Sequence, residues 1–291
     1  MSMSLKNIIY RTTLKALSAV MGRTMAMPTN RNIREELVRA TVTSNTELAP
    51  QLRRITLRAA GFKGISSAGP DEYVALIMPP EGKRLTMPDA SILNPRAAIA
   101  EMNEDVRPNM RYYTIRELHP EDGEMVIDIV THGASGPGSA WALNSVAGDE
   151  VGVRFLSATY RENVLPQLLI ADATAVPALS AIVESLDEDG RTRTHVIVIA
   201  ESDDLLAPGL EDILSGVGSY TRLTTPLAEA PTAGVAAISG LPVAVGELSY
   251  AWICGEQSIA TSLRRHLTKD LGMDRRSIFF SGYWRLGKER S

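Results

Sequence analysis

The chain has 291 residues, of which 44% are apolar, 22% are charged and 5% are aromatic, and its formal net charge is −4. This composition excludes a disordered chain, and the acidic balance gives no basic footprint for nucleic-acid binding. A single cysteine, Cys254, excludes an internal disulfide and a multi-thiolate metal centre, so redox chemistry would require a bound cofactor. No apolar run reaches the roughly 18 to 20 residues that cross a bilayer, and we expect a cytoplasmic protein.

The first predicted element is a basic amphipathic helix over residues 5–26, within an N-terminal helix and linker that we assign to residues 1–32. Arg11 and Lys15 interrupt the apolar run that a secretory signal would need. The favoured interpretation is a helix that packs on its own domain or on a partner subunit. The alternative is a weak contact with an anionic membrane surface.

Residues 33–162 consist of short apolar or β-branched runs separated by Gly, Pro, Asn and Asp clusters. Six strands at this spacing predict a closed antiparallel β-barrel. The predicted strands are residues 38–43, 52–57, 73–78, 112–116, 125–131 and 150–155.

After Arg161 the pattern changes, and strands alternate with helices over residues 163–291. Such alternation requires crossover connections, so we predict a doubly wound parallel sheet. Residues 228–240, rich in Ala, Pro and Gly, are predicted to be a mobile loop or an irregular connection. The predicted strands are residues 167–171, 195–200, 250–254 and 277–280, and the predicted helices are residues 178–186, 210–214 and 257–271.

The sequence Arg111-Tyr112-Tyr113-Thr114 opens a predicted strand of the barrel. Alternate side chains of a strand share a face, so Arg111 and Tyr113 point the same way. A guanidinium suits a phosphate, and an aromatic plane suits a flat ring, so one strand face has the groups that a dinucleotide needs. The alternative is an ordinary solvated strand face.

A glycine-rich turn joins the next strand to a helix between Thr131 and Ala142. Glycines let the backbone approach an anion, and the first N–H groups of a helix suit a phosphate, with Ser139 as a candidate cap. The alternative is a tight connection with an N-cap. His132 is predicted to be a structural neighbour rather than a proton-transfer group. The four histidines lack ligand-like spacing, so we predict no protein-bound metal.

Small and polar residues follow the predicted strands of the second half, where a pyrophosphate can bind. Asp172 and Thr174 follow the first of these strands, and aromatic residues near the C-terminus either cover a flavin or seal a core. Acidic residues after the second strand suit a ribose diol and would repel a 2′-phosphate, which favours NADH; a solvated charged turn is the alternative. These acidic residues are Glu201, Asp203 and Asp204.

Taken in order, these segments resemble the siderophore-interacting protein family, flavoproteins of the ferredoxin-reductase superfamily that reduce ferric siderophores. The resemblance covers residues 36–287 and depends on six blocks in the order of the family. The blocks are residues 50–57, Arg111-Tyr112-Tyr113-Thr114, His132-Gly133 with residues 136–142, residues 172–178, Trp252 with Gly255-Glu256, and Gly282-Tyr283-Trp284-Arg285.

The resemblance implies an FAD-binding barrel followed by a domain that receives NADH or NADPH. Because the cofactors carry the chemistry, it implies no catalytic side chain and no protein-bound metal. Arg285, with Arg161, would bind an anionic ferric siderophore. The implied cofactor-binding residues are Arg111, Tyr113, Thr114, His132, Gly138, Ser139, Trp141, Asp172, Thr174, Ala175, Gly255, Glu256, Tyr283 and Trp284.

The leading hypothesis is a ferric-siderophore reductase, in which hydride passes from NAD(P)H to FAD and single electrons then reduce chelated Fe(III). A siderophore- or flavin-binding protein with weakened nicotinamide use is the second, because Ala171 and Ala173 replace the Gly and Glu of the family pattern. The third is a general NAD(P)H:flavin reductase with another acceptor, because Ala75 stands where many members carry a lysine.

Overall fold

The computed structural model describes residues 5–27, 34, 36–133, 136–162 and 164–287. These residues form two compact units. The first contains the described residues among 5–21, 34–47 and 53–158, and the second contains those among 22–27, 48–52 and 159–287. The predicted linker at residues 28–32 and residues 134 and 135 of the glycine-rich turn lie outside the described residues.

The first unit is built on an antiparallel, barrel-like sheet with three helices. Its strands are β1 (Leu37–Ala49), β2 (Leu52–Arg58), β3 (Tyr73–Met78), β4 (Asn109–Thr114), β5 (Glu117–His119), β6 (Glu124–Val130) and β7 (Glu150–Ser157), and its helices are α1 (Leu5–Met21), α2 (Pro95–Ala100) and α3 (Pro137–Asn144).

The strand order in this sheet is β4-β3-β7-β1-β2-β6-β5. The antiparallel β-domain is thus confirmed, with one strand more than the six predicted. That strand, β5, has three residues, too few for the sequence pattern to reveal. Alternate residues of the strands fill one core, in which the rings of Phe62 and Phe155 pack edge to face with centroids 5.8 Å apart.

Helix α1 packs on the first unit through Asn7, which is buried. The Asn7 amide nitrogen donates to the Ser91 carbonyl at 2.6 Å, and its oxygen accepts from the Leu93 N–H at 3.1 Å. Among the described residues, no helix has the length and apolar character to cross a membrane.

The second unit is a five-stranded parallel sheet with helices, as predicted. Its strands are β8 (Gln167–Asp172), β9 (Thr194–Ala200), β10 (Ser219–Thr224), β11 (Tyr250–Glu256) and β12 (Ile278–Trp284), and its helices are α4 (Val176–Glu184), α5 (Glu188–Thr192), α6 (Leu210–Ile213), α7 (Ala230–Ser239) and α8 (Gln257–Arg265).

The strand order of the second unit is β10-β9-β8-β11-β12. The chain begins the sheet at β8 and builds outward first to one side and then to the other. The order therefore reverses between β8 and β11, and open α/β sheets bind ligands beyond the carboxyl ends of the strands at such a reversal.

The expected loop at residues 228–240 is wrong, because most of this segment forms helix α7. Pro231 lies in the first turn, where its missing N–H costs nothing. Gly234 lets the helix approach α8, because a Cβ at this position would lie 2.9 Å from a methyl group of Leu263. Strand β10 was also not predicted. In addition, α8 ends at Arg265, and a wider π-helical turn continues to Asp270.

The N-terminal helix is shorter than the predicted range of residues 5–26, because it ends at Met21. Residues beyond it pair with the edge of the second sheet instead. The Ala26 N–H donates to the Ile278 carbonyl of β12 at 2.9 Å, and the Arg264 guanidinium donates to the Thr24 carbonyl at 2.8 Å. This segment covers part of a sheet edge that would otherwise be unpaired.

Candidate functional site

The first candidate site lies in the first unit, where the N-terminus of α3 meets strand β4. A Cβ on Gly138 would lie 2.2 Å from the Tyr113 hydroxyl and 3.5 Å from Cγ of Arg111, so both side chains reach this helix end. Gly136 precedes the helix with φ of 86° and supplies no side-chain cap. Among the described residues, no side chain caps the first N–H groups of α3, which leaves them suited to an anion.

Burial raises the pKa of the Tyr113 phenol to about 12, although the nearby Arg111 guanidinium lowers it in part. Tyr113 is therefore a neutral hydroxyl at physiological pH. The half-buried Arg111 donates to the carbonyl of Met110 at 2.8 Å. A permanent cation, a neutral phenol and a helix N-terminus thus lie together.

The other predicted flavin residues of the first unit lie in different environments. Ser139 is buried in the first turn of α3, and Trp141 packs against the core of the unit. Thr114 is buried and follows Tyr113 on β4, so it faces the opposite side of the strand. His132 is exposed at the start of the glycine-rich turn.

The opposite end of α3 is held by Asn45 of β1, a residue that the sequence analysis missed. The Asn45 amide nitrogen donates to the carbonyls of Ala142 and Ser145 at 2.9 and 2.7 Å. Its oxygen accepts from Nε of Arg53 at 3.0 Å. A polar residue in a strand is the sole sequence signal for this anchor, and it does not reveal the partner.

The second candidate site lies in the second unit, at the carboxyl end of β8. Asp172 is buried, and one of its carboxylate oxygens accepts from the Thr174 N–H and hydroxyl at 2.8 and 2.6 Å and from the Ala175 N–H at 3.2 Å. The other oxygen accepts from the Glu256 N–H at 2.7 Å and from the Trp284 indole at 2.8 Å. Burial raises the pKa of Asp172, while these hydrogen bonds act in the opposite direction.

Glu256 occupies the corresponding place at the end of β11 and is also buried. One of its oxygens caps α8 by accepting from the N–H groups of Ser258 and Ile259 at 2.5 and 3.2 Å, and from the Ser258 hydroxyl. The other oxygen accepts from the Leu286 N–H at 3.2 Å. Burial alone would raise the pKa of Glu256, but the hydrogen bonds outweigh it, and the pKa is lowered.

Gly255 permits the close approach of these two strand ends. Its φ of 142° is one that side chains rarely adopt, and a Cβ would lie 2.4 Å from Cγ of Asp172. The pairing of β11 with β12 shifts register at this point, so that Glu256 is opposite Trp284. Asp172, Glu256 and Trp284 thus form one hydrogen-bonded cluster, which Gly255 makes sterically possible.

The two predicted siderophore-binding arginines lie at different ends of the second sheet. Arg285 is exposed and directly follows the carboxyl end of β12, after Tyr283 and Trp284. The Arg161 N–H instead donates to the hydroxyl of Tyr250, the first residue of β11, at 3.3 Å. The structure therefore does not bring Arg161 and Arg285 together at one strand end.

One of the acidic residues after β9, Asp203, lies beside an arginine of β10. Arg222 forms ion pairs with Asp203 and with Glu211, the latter at 2.9 Å. Glu201 accepts from the Leu227 N–H at 3.4 Å. Two carboxylates, those of Asp203 and Glu211, thus share the guanidinium of Arg222.

Comparison with known proteins gives matches in both halves of the chain. A profile of the siderophore-interacting FAD-binding domain matches residues 41–154, and a siderophore-interacting protein profile matches residues 166–287. The chain is 26% identical over 261 residues to an uncharacterised protein of Mycobacterium tuberculosis, covering 85% of this chain and 89% of that one.

Two further relatives have more specific descriptions. The ferric vibriobactin reductase ViuB of Vibrio cholerae is 28% identical over 189 residues, covering 62% of this chain and 66% of the relative. The structure of the siderophore-interacting protein SipS from Aeromonas hydrophila superposes with a TM-score of 0.68 at 26% identity, covering 90% of this chain and 94% of SipS. Structures of ferredoxin-reductase-like proteins share the fold. The chain belongs to the siderophore-interacting protein family.

Proposed function

We propose that the protein is an FAD-dependent ferric-siderophore reductase that uses NADH or NADPH in the cytoplasm. The N-terminus of α3, which no described side chain caps and which packs against Arg111 and Tyr113, carries the proposal, because it fits the phosphates of a dinucleotide. The chain's membership of the siderophore-interacting family and its likeness to ViuB, a ferric vibriobactin reductase, support a ferric siderophore as the substrate.

The residues of the first unit fit FAD in their chemistry. Arg111 supplies positive charge, Tyr113 an aromatic ring and a neutral hydroxyl, and Gly138 and Ser139 the N–H groups of the helix end. When bound, FAD supplies the conversion of a two-electron hydride input into single-electron output. The remaining proposed contacts of the flavin are Thr114, His132 and Trp141.

The nicotinamide donor is assigned to the sheet reversal of the second unit. Thr174, Ala175 and Gly255 shape the backbone there, and Asp172 and Glu256 hold it through the hydrogen bonds described above. Tyr283 and Trp284 complete the proposed surroundings. The acidic group around Arg222 favours NADH, because Asp203 and Glu211 already neutralise the guanidinium that a 2′-phosphate would need.

The substrate brings its iron already chelated, so the chain needs no metal ligands of its own. An exposed Arg285 attracts an anionic chelate by its charge. Reduction lowers the charge on the iron and weakens its bonds to hard oxygen donors, so that Fe(II) leaves the chelate more easily than Fe(III). Arg161, at the other end of the sheet, is less suited to this site.

The test begins with the visible spectrum of the purified full chain after FAD addition, in which we expect a flavin absorption band. Under anaerobic conditions, NADH should then bleach the band, and a ferric siderophore should restore it while a ferrous-specific chromogenic chelator detects Fe(II). An Arg111→Gln variant should bind FAD about tenfold more weakly because it loses a charge-assisted contact, whereas the exposed Arg58→Gln control should not.

The negative outcomes are informative. A protein without a flavin band contradicts the proposal as a whole. A flavin band that neither NADH nor NADPH bleaches indicates a binding protein without nicotinamide use. Faster turnover with free quinones or ferric citrate than with ferric siderophores indicates a general flavin reductase.

A further inference from the structure

Two buried carboxylates hold the same short segment of the second unit. The segment, here named the C-terminal strap, comprises residues 284–287 and begins at the last residue of β12. Asp172 accepts from the Trp284 indole at 2.8 Å, and Glu256 accepts from the Leu286 N–H at 3.2 Å. The two carboxylates therefore hold the strap on either side of Arg285.

Neither carboxylate is available as a simple cofactor ligand. Asp172 accepts five hydrogen bonds from its own chain, and Glu256 accepts four. The Glu256 N–H also bonds to Asp172, so the two strand ends and the strap form a single network. Gly255 makes this arrangement sterically feasible, since a larger residue would overlap the Asp172 carboxylate.

Arg285 differs from its neighbours in the strap. Its side chain is exposed, and no described residue forms an ion pair with it. Arg276, which lies just before β12, is by contrast paired with Asp274 at 2.9 Å. The strap backbone is thus held on both sides of an exposed guanidinium.

We propose that Asp172 and Glu256 are positioning residues that fix the C-terminal strap and thereby orient Arg285 toward a ferric chelate of net negative charge. This inference rests on the proposed function for the identity of the anion. The physical basis is preorganisation: a guanidinium on a fixed backbone loses less conformational freedom on binding than one on a free chain end. The positive charge of Arg285 then gives the site a preference for anionic over neutral chelates.

The first experiment measures the strap itself, without any substrate. Trp284→Phe keeps an aromatic ring but removes the N–H that Asp172 accepts. In the full chain, we expect amide hydrogen exchange of residues 284–287 to accelerate about tenfold, as loss of a buried hydrogen bond predicts. Arg285→Gln and the control Arg276→Gln should leave this exchange unchanged. Unchanged exchange in Trp284→Phe overturns the proposal.

The second experiment measures binding to the oxidised, FAD-loaded protein by titration calorimetry. The probes are a trianionic ferric tris-catecholate complex and a neutral ferric trihydroxamate complex. We expect Arg285→Gln and Trp284→Phe each to weaken tris-catecholate binding about fivefold to tenfold, with trihydroxamate binding changed by less than about twofold. Equal losses for both complexes indicate general damage and overturn the proposal.

A double variant separates orientation from direct contact. If Trp284 acts through Arg285, adding Trp284→Phe to Arg285→Gln should cause no further loss of tris-catecholate affinity. Additive losses overturn the positioning role. A wild-type protein that binds neither complex overturns the proposed function and with it the role of Arg285, while the exchange measurement still decides whether Asp172 fixes the strap.

Discussion

At the scale of single residues, the proposed flavin site depends on a glycine at position 138. The Tyr113 hydroxyl occupies the space where any other residue would place its Cβ. A helix can approach strand β4 this closely only without a side chain at that point. The close approach brings the helix N–H groups to Arg111.

Gly138→Ala should therefore destabilise the protein, by about 1–3 kcal/mol for an overpacked site. The clash involves the Tyr113 hydroxyl, because the next atoms, Cζ of Tyr113 and Cγ of Arg111, lie at an ordinary 3.5 Å. In a Tyr113→Phe background the same substitution should thus cost much less. Thermal unfolding of the FAD-free proteins measures both effects, and an equal cost in the two backgrounds would contradict this account.

A pH dependence is expected from Glu256, whose pKa is lowered in the folded chain from an ordinary value of 4.5. Its ionised form therefore stabilises the fold fully above about pH 4.5, and this contribution is lost as the pH falls through the lower, folded pKa. Glu256→Gln should lower the melting temperature at neutral pH by about 2–4 °C. The difference from wild type should shrink as the solution is acidified.

The exposed Glu247→Gln provides a matched control that should show no such difference at any pH. A melting-temperature deficit of Glu256→Gln that stays constant down to acid pH would show that ionisation of Glu256 does not stabilise the fold.

At the scale of elements, helix α3 is held at both ends, by Tyr113 at its start and by Asn45 at its end. Asn45→Ala removes the amide that bonds the last carbonyls of the helix. We expect the variant to bind FAD about tenfold more weakly, because the displaced helix loses its alignment with Arg111. Flavin fluorescence titration measures the affinity.

The control for this prediction lies on the same helix. Among the described residues, the Asn144 amide bonds only the Ala140 carbonyl within α3, so Asn144→Ala should change FAD affinity by less than about twofold. Equal losses in the two variants would show that Asn45 has no special role in placing the helix.

Periodicity in the sequence predicts most elements but not all of them. Strands such as β8 and β9 are continuous apolar runs and are recognisable for that reason. Helix α7 is not predicted from the sequence, because Pro231 and Gly234 ordinarily indicate a loop. Gly234 is tolerated because Leu263 of α8 fills the space beside it, a tertiary contact that no local pattern contains.

At the scale of the whole molecule, the change from a β pattern to an α/β pattern is visible in the sequence. Each unit has its own core, so the apolar residues of each follow the periodicity of that unit's own strands and helices. The candidate sites are less predictable. The motifs identify Asp172 and Trp284 individually, but the hydrogen bond between them joins residues 112 positions apart. Its existence follows from the parallel order of β8, β11 and β12, which determines which strand ends are neighbours.

The net charge of −4 also has a different meaning once the ion pairs are known. Several arginines of the first unit are neutralised by neighbouring acids, as in the pairs Arg54 with Asp128 and Arg39 with Glu150. Arg285 has no such partner among the described residues of the second unit. Local attraction for an anion is therefore compatible with an acidic molecule.

The three tryptophans of the chain occupy three separate environments. Trp141 lies on α3, Trp252 is fully buried in β11 with no hydrogen-bond partner for its indole among the described residues, and Trp284 is bonded to Asp172. The protein thus contains its own set of fluorophores. Variants that keep one tryptophan at a time would report optically on helix α3, on the core of the parallel sheet and on the C-terminal strap.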